Sequence, residues 1–427
     1  MSAAQRLESL ARRYRAIRNV TVRLCDTLTS EDCAAQSMPD ASPAKWHLAH
    51  TAWFFETFVL KAEGRGGVAP DPRFEILFNS YYNGVGEQFS RPHRGLLTRP
   101  SLEDVFAYRE EVDLALGELL EAPSPLSEGA LDLVELGLHH EQQHQELLLT
   151  DLKHLLAQNP LEPGYRRTKP PAEVTIHSLA WHAHEGGLVE IGYRGDAFSF
   201  DNESPRHRVY LEPFELASRP VRNGEYLAFM EDGGYSRPEL WLSEGWESVQ
   251  REGWSAPLYW RRGEDRWSTF TLSGPQPVRA EEPVCHVSLF EADAFARWAG
   301  CRLPTEAEWE CAAADRPLEG NFLEGARFHP DAARAAAYEA GPQQLYGDVW
   351  EWTSSAYGPY PGYRPAPGVV GEYNGKFMSS QMVLRGGSCV SPRSHLRSSY
   401  RNFFPPAARW QFSGVRLARD ASTPSEA

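Results

Sequence analysis

Residues 133–156, LVELGLHHEQQHQELLLTDLKHLL, decide the fold of the first part of the chain. Leucines recur through this segment at helical spacing, which predicts a long amphipathic helix. With about 3.6 residues per turn, His140 and His144 lie one turn apart on one face of that helix, where two imidazoles can bind one metal ion. His139 points about 100° away from this face, so we do not expect it to be a ligand.

The same residues contain the pattern His-Glu-x-x-His, and this pattern has two interpretations. In zinc metalloproteases the two histidines bind the metal and the glutamate, here Glu141, is the general base. The simpler interpretation is a helix whose polar face is rich in His, Gln and Glu. The local pattern does not decide between the two, so the decision depends on other parts of the chain.

Length, composition and charge predict a globular protein that acts on small molecules. The chain has 427 residues, of which 41% are hydrophobic, enough for two domains with packed cores. Its formal net charge of −15 argues against nucleic acids and anionic membranes as partners, because both would repel it. Small-molecule chemistry is therefore the better expectation.

Three further features predict a cytoplasmic protein. The amino terminus lacks the apolar run of a signal peptide. No run of about 18 apolar residues is present for a membrane span. The six cysteines are scattered without a C-x-x-C pair, which indicates neither a zinc knuckle nor a disulfide framework and fits a reducing compartment.

The chain changes character near residue 157, which predicts two domains. Before this point, apolar periodicity predicts an amino-terminal helix, helices over about 43–63 and 101–121, and the histidine helix, as in a four-helix bundle. After it come short strand-like pieces with many Gly, Pro and Trp. The predicted fold class is α+β, divided into a helical bundle at 1–157, a proline-rich linker at 158–173, a domain of short strands and loops at 174–420, and a tail at 421–427.

The helix predicted over 43–63 carries a candidate for a third metal ligand. His50 lies between Trp46 and Trp53 in this segment, on what we expect to be the inward face. A single histidine in such surroundings is more often a core residue bonded to a carbonyl group than a ligand. The histidine pair on a facing helix favours the ligand interpretation, because bundles place metal sites on facing helices.

Three phrases in the second half carry a resemblance to a known fold. They are RLPTEAEWE at 302–310, GDVWEWTSS at 347–355 and LRGGSCV at 384–390. In this order they resemble the formylglycine-generating-enzyme-like (sulfatase-modifying-factor, C-type-lectin-like) domain. The cysteine pair that binds copper in true formylglycine-generating enzymes is not apparent here, so we expect the fold without sulfatase activation.

The first half resembles the DinB-like helical bundle, in which three histidines from two helices bind a metal. HLAHTAWF at 47–54, NSYY at 79–82, HHEQQHQE at 139–146 and a late RNFFPPAARWQFSGVRLARD at 401–420 stand together in this chain. This combination resembles the ergothioneine-biosynthetic sulfoxide synthases over nearly the whole chain.

The resemblance implies a metal and a reaction. A non-haem iron(II) ion would be held by His50, His140 and His144. Because the third ligand then lies upstream of the histidine helix, the protease interpretation is disfavoured. Dioxygen would couple a thiol, cysteine or γ-glutamylcysteine, to the imidazole of hercynine (Nα-trimethylhistidine) and give a sulfoxide.

The resemblance also implies the roles of other residues. Tyr81 and Tyr82 would donate a hydrogen bond or proton to the reacting dioxygen. This Tyr-Tyr pair matches one branch of the family, whereas another branch uses a tyrosine from the second domain. Guanidinium groups suit the carboxylates of a thiol substrate, and aromatic faces attract a trimethylammonium group. The implied substrate contacts are Arg91 and Arg94 for the thiol, and Gln143, Asn402, Phe403 and Phe404 for hercynine.

Two alternatives remain open at this stage. A selenoneine synthase, which joins a selenosugar to hercynine, would need the same iron ligands and the same hercynine contacts. A non-catalytic or thiol-transferring DinB-like protein would need the metal but not the tyrosines. The sequence does not indicate the sulfur or selenium donor or the oligomeric state.

Overall fold

The computed structural model describes residues 3–122, 126–168, 178–333 and 341–421. It divides the chain into two compact units. The helical unit comprises the chain up to Tyr165 together with Pro367–Tyr373, and the strand-rich unit comprises Arg166–Ala366 and the chain from Asn374 onward.

The content of the two units agrees with the predicted fold class. Long helices make up the first unit, and short strands with long loops dominate the second, so the α+β prediction is confirmed. Residues 169–173 of the predicted linker and 422–427 of the predicted tail lie outside the described residues. The sequence did not indicate that Pro367–Tyr373, from the second half of the chain, groups with the helices.

The helical unit contains six α-helices within the described residues, and its long helices occur where the periodicity predicts them. The helices are α1 (Ala3–Arg23), α2 (Ser30–Ala34), α3 (Ala44–Phe55), α4 (Phe74–Phe78), α5 (Leu102–Glu121) and α6 (Glu128–Ala157). Within the described residues, none of the helices combines the length and the apolar character that a membrane crossing requires.

Helix packing brings α3 and α6 together at the centre of this unit. Helix α3 packs against both α5 and α6, and α1 packs against α6. All twelve residues of α3 are buried, as expected for a helix that has partners on several sides. The starts of α5 and α6 are fixed by Ser101 and Ser127, whose side chains accept hydrogen bonds from backbone N–H groups of the first turn.

The strand-rich unit combines four α-helices with fourteen short strands in its described part. Its helices are α7 (Asn223–Glu231), α8 (Ser243–Glu252), α9 (Leu289–Trp298) and α10 (Glu306–Ala313). Its strands are β1 (Trp181–His184), β2 (Gly187–Ile191), β3 (His207–Leu211), β4 (Phe214–Ala217), β5 (Trp260–Arg262), β6 (Trp267–Thr271), β7 (Gly274–Pro277), β8 (Gly320–Asn321), β9 (Tyr346–Gly347), β10 (Trp350–Ala356), β11 (Met382–Arg385), β12 (Asn402–Phe404), β13 (Ser413–Gly414) and β14 (Ala418–Asp420). A four-stranded sheet in the order β12-β11-β10-β13 is the largest, and β1-β4-β14 and β5-β6-β7 form three-stranded sheets.

The phrases that carry the fold resemblance form the core of this unit. Glu351 on β10 is fully buried and accepts hydrogen bonds from the Arg416 guanidinium group and from Trp309 Nε1, the latter at 2.6 Å. A buried carboxylate is stable only when its oxygens are paired in this way. Glu351, Arg416 and Trp309 therefore stabilise the fold, and their pairing does not by itself indicate a catalytic site.

Candidate metal centre

Three buried histidines from two helices meet inside the helical unit. His50 comes from α3, whereas His140 and His144 come from α6. One ring nitrogen from each lies within 4.8 Å of the others, and Nε2 of His50 is 3.1 Å from Nε2 of His140. Within the described ranges, no other group of three or more His, Cys, Asp or Glu side chains has this spacing.

The imidazoles of this cluster are neutral at neutral pH. Burial lowers the pKa of His140 to about 3 and holds the pKa values of His50 and His144 well below the ordinary value. Neutral imidazoles present lone pairs, and lone pairs that converge in a buried site fit a cation. Three nitrogen ligands leave coordination positions open for substrates on an ion such as iron(II).

Aromatic residues and one carbonyl group fix the orientation of His50. Its Nδ1–H donates to the backbone oxygen of Phe78 at 2.5 Å, which leaves Nε2 with its lone pair directed at the cluster. The ring stacks on Trp46 at 4.5 Å and on Trp53 at 5.4 Å between centroids. The carbonyl contact expected of a core histidine is present, and it also orients the free ring nitrogen of His50 towards the other two histidines.

The remaining two histidines are held by different neighbours. The ring of His140 stacks on Phe54 at 4.4 Å between centroids. His144 is held through Nδ1, which lies 2.8 Å from Nδ1 of His47. His139 is also buried, but its Nε2 lies 3.2 Å from a nitrogen of Arg13, and it does not join the cluster.

Tyr81 and Tyr82 lie in a loop that an asparagine holds close to the aromatic side of α3. Asn79 accepts a hydrogen bond from the N–H of Tyr82 and donates one to its carbonyl oxygen, both at 3.0 Å. Tyr82 is fully buried, and its ring lies 5.9 Å from that of Trp53, which stacks on His50. Burial raises the pKa of both phenols well above the ordinary value, so both keep their protons at neutral pH.

The structure adds a tyrosine that the sequence did not single out. The ring of Tyr373, in the segment that groups with the helices, lies 5.7 Å from the ring of His140 and 6.2 Å from that of Tyr81. The adjacent Glu372 accepts hydrogen bonds from the N–H groups of Asn83 and Gly84. These partners are 289 and 288 positions apart in sequence, so no local pattern could have predicted the contact.

The two arginines that were predicted to contact the thiol substrate differ in their exposure to solvent. Arg94 is buried, its guanidinium carbon lies 3.3 Å from the ring centre of Trp46, and its Nη1 donates to Ser42 Oγ at 2.9 Å. Arg91, one turn earlier, is exposed. Trp46 also stacks on His50, so Arg94 and the histidine cluster share Trp46 as a neighbour.

The predicted contacts of hercynine lie in both units. Gln143 is half-buried on α6. Asn402, Phe403 and Phe404 form β12 of the strand-rich unit, where Phe403 stacks on Tyr357 at 4.0 Å between centroids. The assignment of these four residues to hercynine stays a prediction.

Glu141, which a metalloprotease would use as its general base, has a structural role. Its fully buried carboxylate accepts hydrogen bonds from Arg18 and Thr21 of α1 and from Arg109 of α5, at 2.7–2.9 Å. Burial alone would raise the pKa of Glu141, but the two guanidinium groups outweigh it and lower this pKa to about 2. The carboxylate therefore connects three helices of the bundle.

Replacing this carboxylate is expected to destabilise the bundle. Glu141→Gln should lower the free energy of unfolding by about 3–5 kcal/mol at neutral pH, because it leaves two buried guanidinium groups without their shared anion. In the parent protein, the lowered pKa stabilises the fold above the ordinary value of 4.5, and this contribution is lost as the pH falls towards about 2. Urea unfolding of the metal-free protein between pH 7 and pH 3 measures both effects.

The matched control for this prediction lies on the same helix. Glu128 pairs with Arg6 at the exposed start of α6, so Glu128→Gln should change the free energy of unfolding by less than about 1 kcal/mol. Equal losses in the two variants would contradict the structural role of Glu141.

Comparisons with known proteins cover nearly the whole chain. Residues 183–341 and 333–421 match the sulfatase-modifying factor enzyme 1-like domain, and residues 13–148 match the DinB superfamily. The chain is 35% identical to the hercynine oxygenase of Mycobacterium tuberculosis over 97% of this chain and 99% of that protein. It is 34% identical to the hercynine oxygenase of Mycolicibacterium thermoresistibile over 96% and 94%, respectively. It is also 28% identical to ergothioneine biosynthesis protein 1 of Schizosaccharomyces pombe, over 57% and 30%. These matches confirm the predicted resemblance and both predicted domain types.

Proposed function

This chain belongs to the hercynine oxygenase family, and we propose on that basis that it couples a thiol to the imidazole of hercynine with dioxygen, using iron(II) bound by His50, His140 and His144. The observation that carries the proposal is the buried cluster of three neutral imidazoles. Iron(II), when bound there, supplies coordination positions and electron-transfer chemistry for a thiolate and dioxygen.

The proposed reaction balances without a further reductant. A C–H bond of the imidazole and the S–H bond of the thiol break, and a C–S bond and an S–O bond form. One oxygen atom of dioxygen enters the sulfoxide, and the other leaves as water with the two protons released. The four electrons that reduce dioxygen thus come from the two substrates.

Side chains of the helical unit support specific steps of this reaction. Burial raises the pKa of Tyr81 and Tyr82, so both keep their phenolic protons, and the ring of Tyr373 lies beside that of Tyr81. A phenol held there can supply the proton that reduced dioxygen requires. Arg94 is a buried cation beside Trp46 and suits a carboxylate of the thiol substrate. Because Tyr82, Tyr373 and Arg94 are buried, few waters compete with the substrates for them.

Oxygen consumption tests the proposed function. Protein loaded anaerobically with iron(II) and mixed with hercynine and cysteine or γ-glutamylcysteine should consume dioxygen on exposure to air. It should release one product whose mass is the sum of both substrates plus one oxygen atom, less two hydrogen atoms. Omitting hercynine should remove this product and leave at most slow thiol oxidation.

Different donors decide between the proposed reaction and its selenium counterpart. If only a selenosugar gives a coupled product, the selenoneine alternative replaces the thiol reaction. If fully loaded protein forms no coupled product with any of these donors, the proposed enzymatic function is wrong.

A further inference from the structure

A buried chain of side chains extends from the metal cluster through His47 to a carboxylate. Nδ1 of His144 lies 2.8 Å from Nδ1 of His47, and Nε2 of His47 lies 3.1 Å from Oδ2 of Asp151. His47 is 2% exposed and Asp151 is 5% exposed, so water competes little for these contacts. Residue spacing explains the alignment, because His47 precedes His50 by one turn of α3, and Asp151 follows His144 by about two turns of α6.

The carboxylate fixes the direction of the hydrogen bonds along this series of side chains. An ionised carboxylate only accepts hydrogen bonds, and Asp151 Oδ2 already accepts one from the backbone N–H of Ser42 at 2.8 Å. The proton of His47 must then lie on Nε2, where it donates to Asp151. Nδ1 of His47 is left as an acceptor, so Nδ1–H of His144 donates to it. His144 therefore carries no proton on Nε2, the ring nitrogen that remains for a metal ion.

We propose that His47 and Asp151 are positioning residues that hold His144 in its metal-binding tautomer and orientation. The inference rests on the metal site of the proposed function. The backbone carbonyl of Phe78 orients His50 in the same way, and no side-chain substitution removes that carbonyl. For His144 the orienting partner is a side-chain pair, and its carboxylate also makes the imidazole a stronger electron donor to the metal.

Substitutions at two positions break this chain at different atoms. Asp151→Asn keeps the shape of the side chain but adds an N–H donor, so the direction of the hydrogen bonds through His47 is no longer enforced. His47→Phe removes the acceptor of the His144 proton, whereas His47→Gln retains an amide oxygen as a possible acceptor. We expect Asp151→Asn and His47→Phe to weaken metal binding about 10- to 100-fold, and His47→Gln to lie between His47→Phe and the parent protein.

The measurement uses the full-length protein and does not depend on turnover. Cobalt(II) and iron(II) are titrated anaerobically into each metal-free variant, and the visible spectrum of the cobalt(II) form reports the ligand field. We expect weaker binding together with an altered cobalt(II) spectrum. The control is His154→Gln: His154 also lies on α6, but its Nδ1 contacts Ser37 Oγ at 2.7 Å, so affinity and spectrum should match the parent.

Each outcome distinguishes this inference from the function on which it rests. Circular dichroism identifies the variants that fold, and if one position yields no folded protein, the affinity at the other position decides. Folded variants that bind both metals within about twofold of the parent, with an unchanged cobalt(II) spectrum, would overturn the positioning role and leave the proposed function intact. A parent protein that binds neither metal would instead overturn the metal site itself.

Discussion

His140→Ala is expected to abolish stable metal binding and, with it, the coupling of hercynine to a thiol. The substitution removes one of the three buried nitrogens that we propose as ligands, and we expect that two imidazoles would not retain the ion through dialysis. Loss of a partner outside the ligand set typically costs 10- to 100-fold in metal affinity, so loss of a ligand should cost at least about 100-fold. Metal content after dialysis and oxygen consumption with hercynine and thiol measure the two losses.

The adjacent histidine provides the matched control for this prediction. His139 is buried on the same helix, and its Nε2 lies near Arg13 on α1 rather than in the cluster. His139→Ala removes an imidazole of the same size from the neighbouring position, so metal content should stay at the parent level. A His140→Ala protein that keeps a full complement of metal, or a His139→Ala protein that loses as much, would contradict the assignment of ligands.

Local pattern was sufficient to predict the two helices that carry the histidine cluster. Helical periodicity places His140 and His144 on one face, and this depends only on the geometry of a single helix. The choice of His50 required the additional expectation that a second, aromatic-rich helix packs against that face. The structure brings these three residues together because α3 is buried against both α5 and α6.

Where the partners of a residue lie on other helices, its role could not be predicted from local pattern. The His-Glu-x-x-His spacing is the same whether Glu141 activates water or binds guanidinium groups, and Arg18 and Arg109 decide this from α1 and α5. Similarly, nothing in the sequence distinguishes Asp151 from any other polar residue of a leucine-rich helix. Its contact with His47 exists only because two helices align at this depth of the bundle.

The resemblance to known families carried the prediction of the strand-rich unit. Its strands are two to seven residues long, which is too short for period-two alternation to identify them. Three phrases identified the fold through their resemblance to a known family, and the structure shows a buried contact between two of them, from Trp309 to Glu351. Neither the phrases nor periodicity indicated that Pro367–Tyr373 groups with the helices.

Removing the phenols beside the cluster is expected to separate metal binding from coupling. A Tyr81→Phe, Tyr82→Phe double variant should bind iron(II) like the parent, because the proposed ligands are the imidazoles of His50, His140 and His144. Coupling should fall by about 100-fold or more, the usual contribution of a positioned general acid, while oxidation of the thiol to its disulfide becomes the main reaction. Product ratios by mass spectrometry at full iron loading measure the change. A non-catalytic or thiol-transferring DinB-like protein would instead tolerate the loss of both phenols.

Tyr373 extends the same prediction to the segment from the second half of the chain. Its ring contacts those of both His140 and Tyr81, so Tyr373→Phe should also lower coupling at unchanged iron binding. The control is Tyr108→Phe, since the Tyr108 hydroxyl donates to the buried Glu56 at 2.6 Å. That variant should lose stability, by about 1.5–3 kcal/mol for a hydrogen bond to a carboxylate, but keep the parent ratio of coupling to thiol oxidation.

Unchanged coupling in the Tyr81, Tyr82 double variant would exclude that pair as the proton source, and unchanged coupling in Tyr373→Phe would exclude Tyr373. A shifted ratio in Tyr108→Phe would show that the ratio responds to general loosening of the bundle and not to a phenol at the metal.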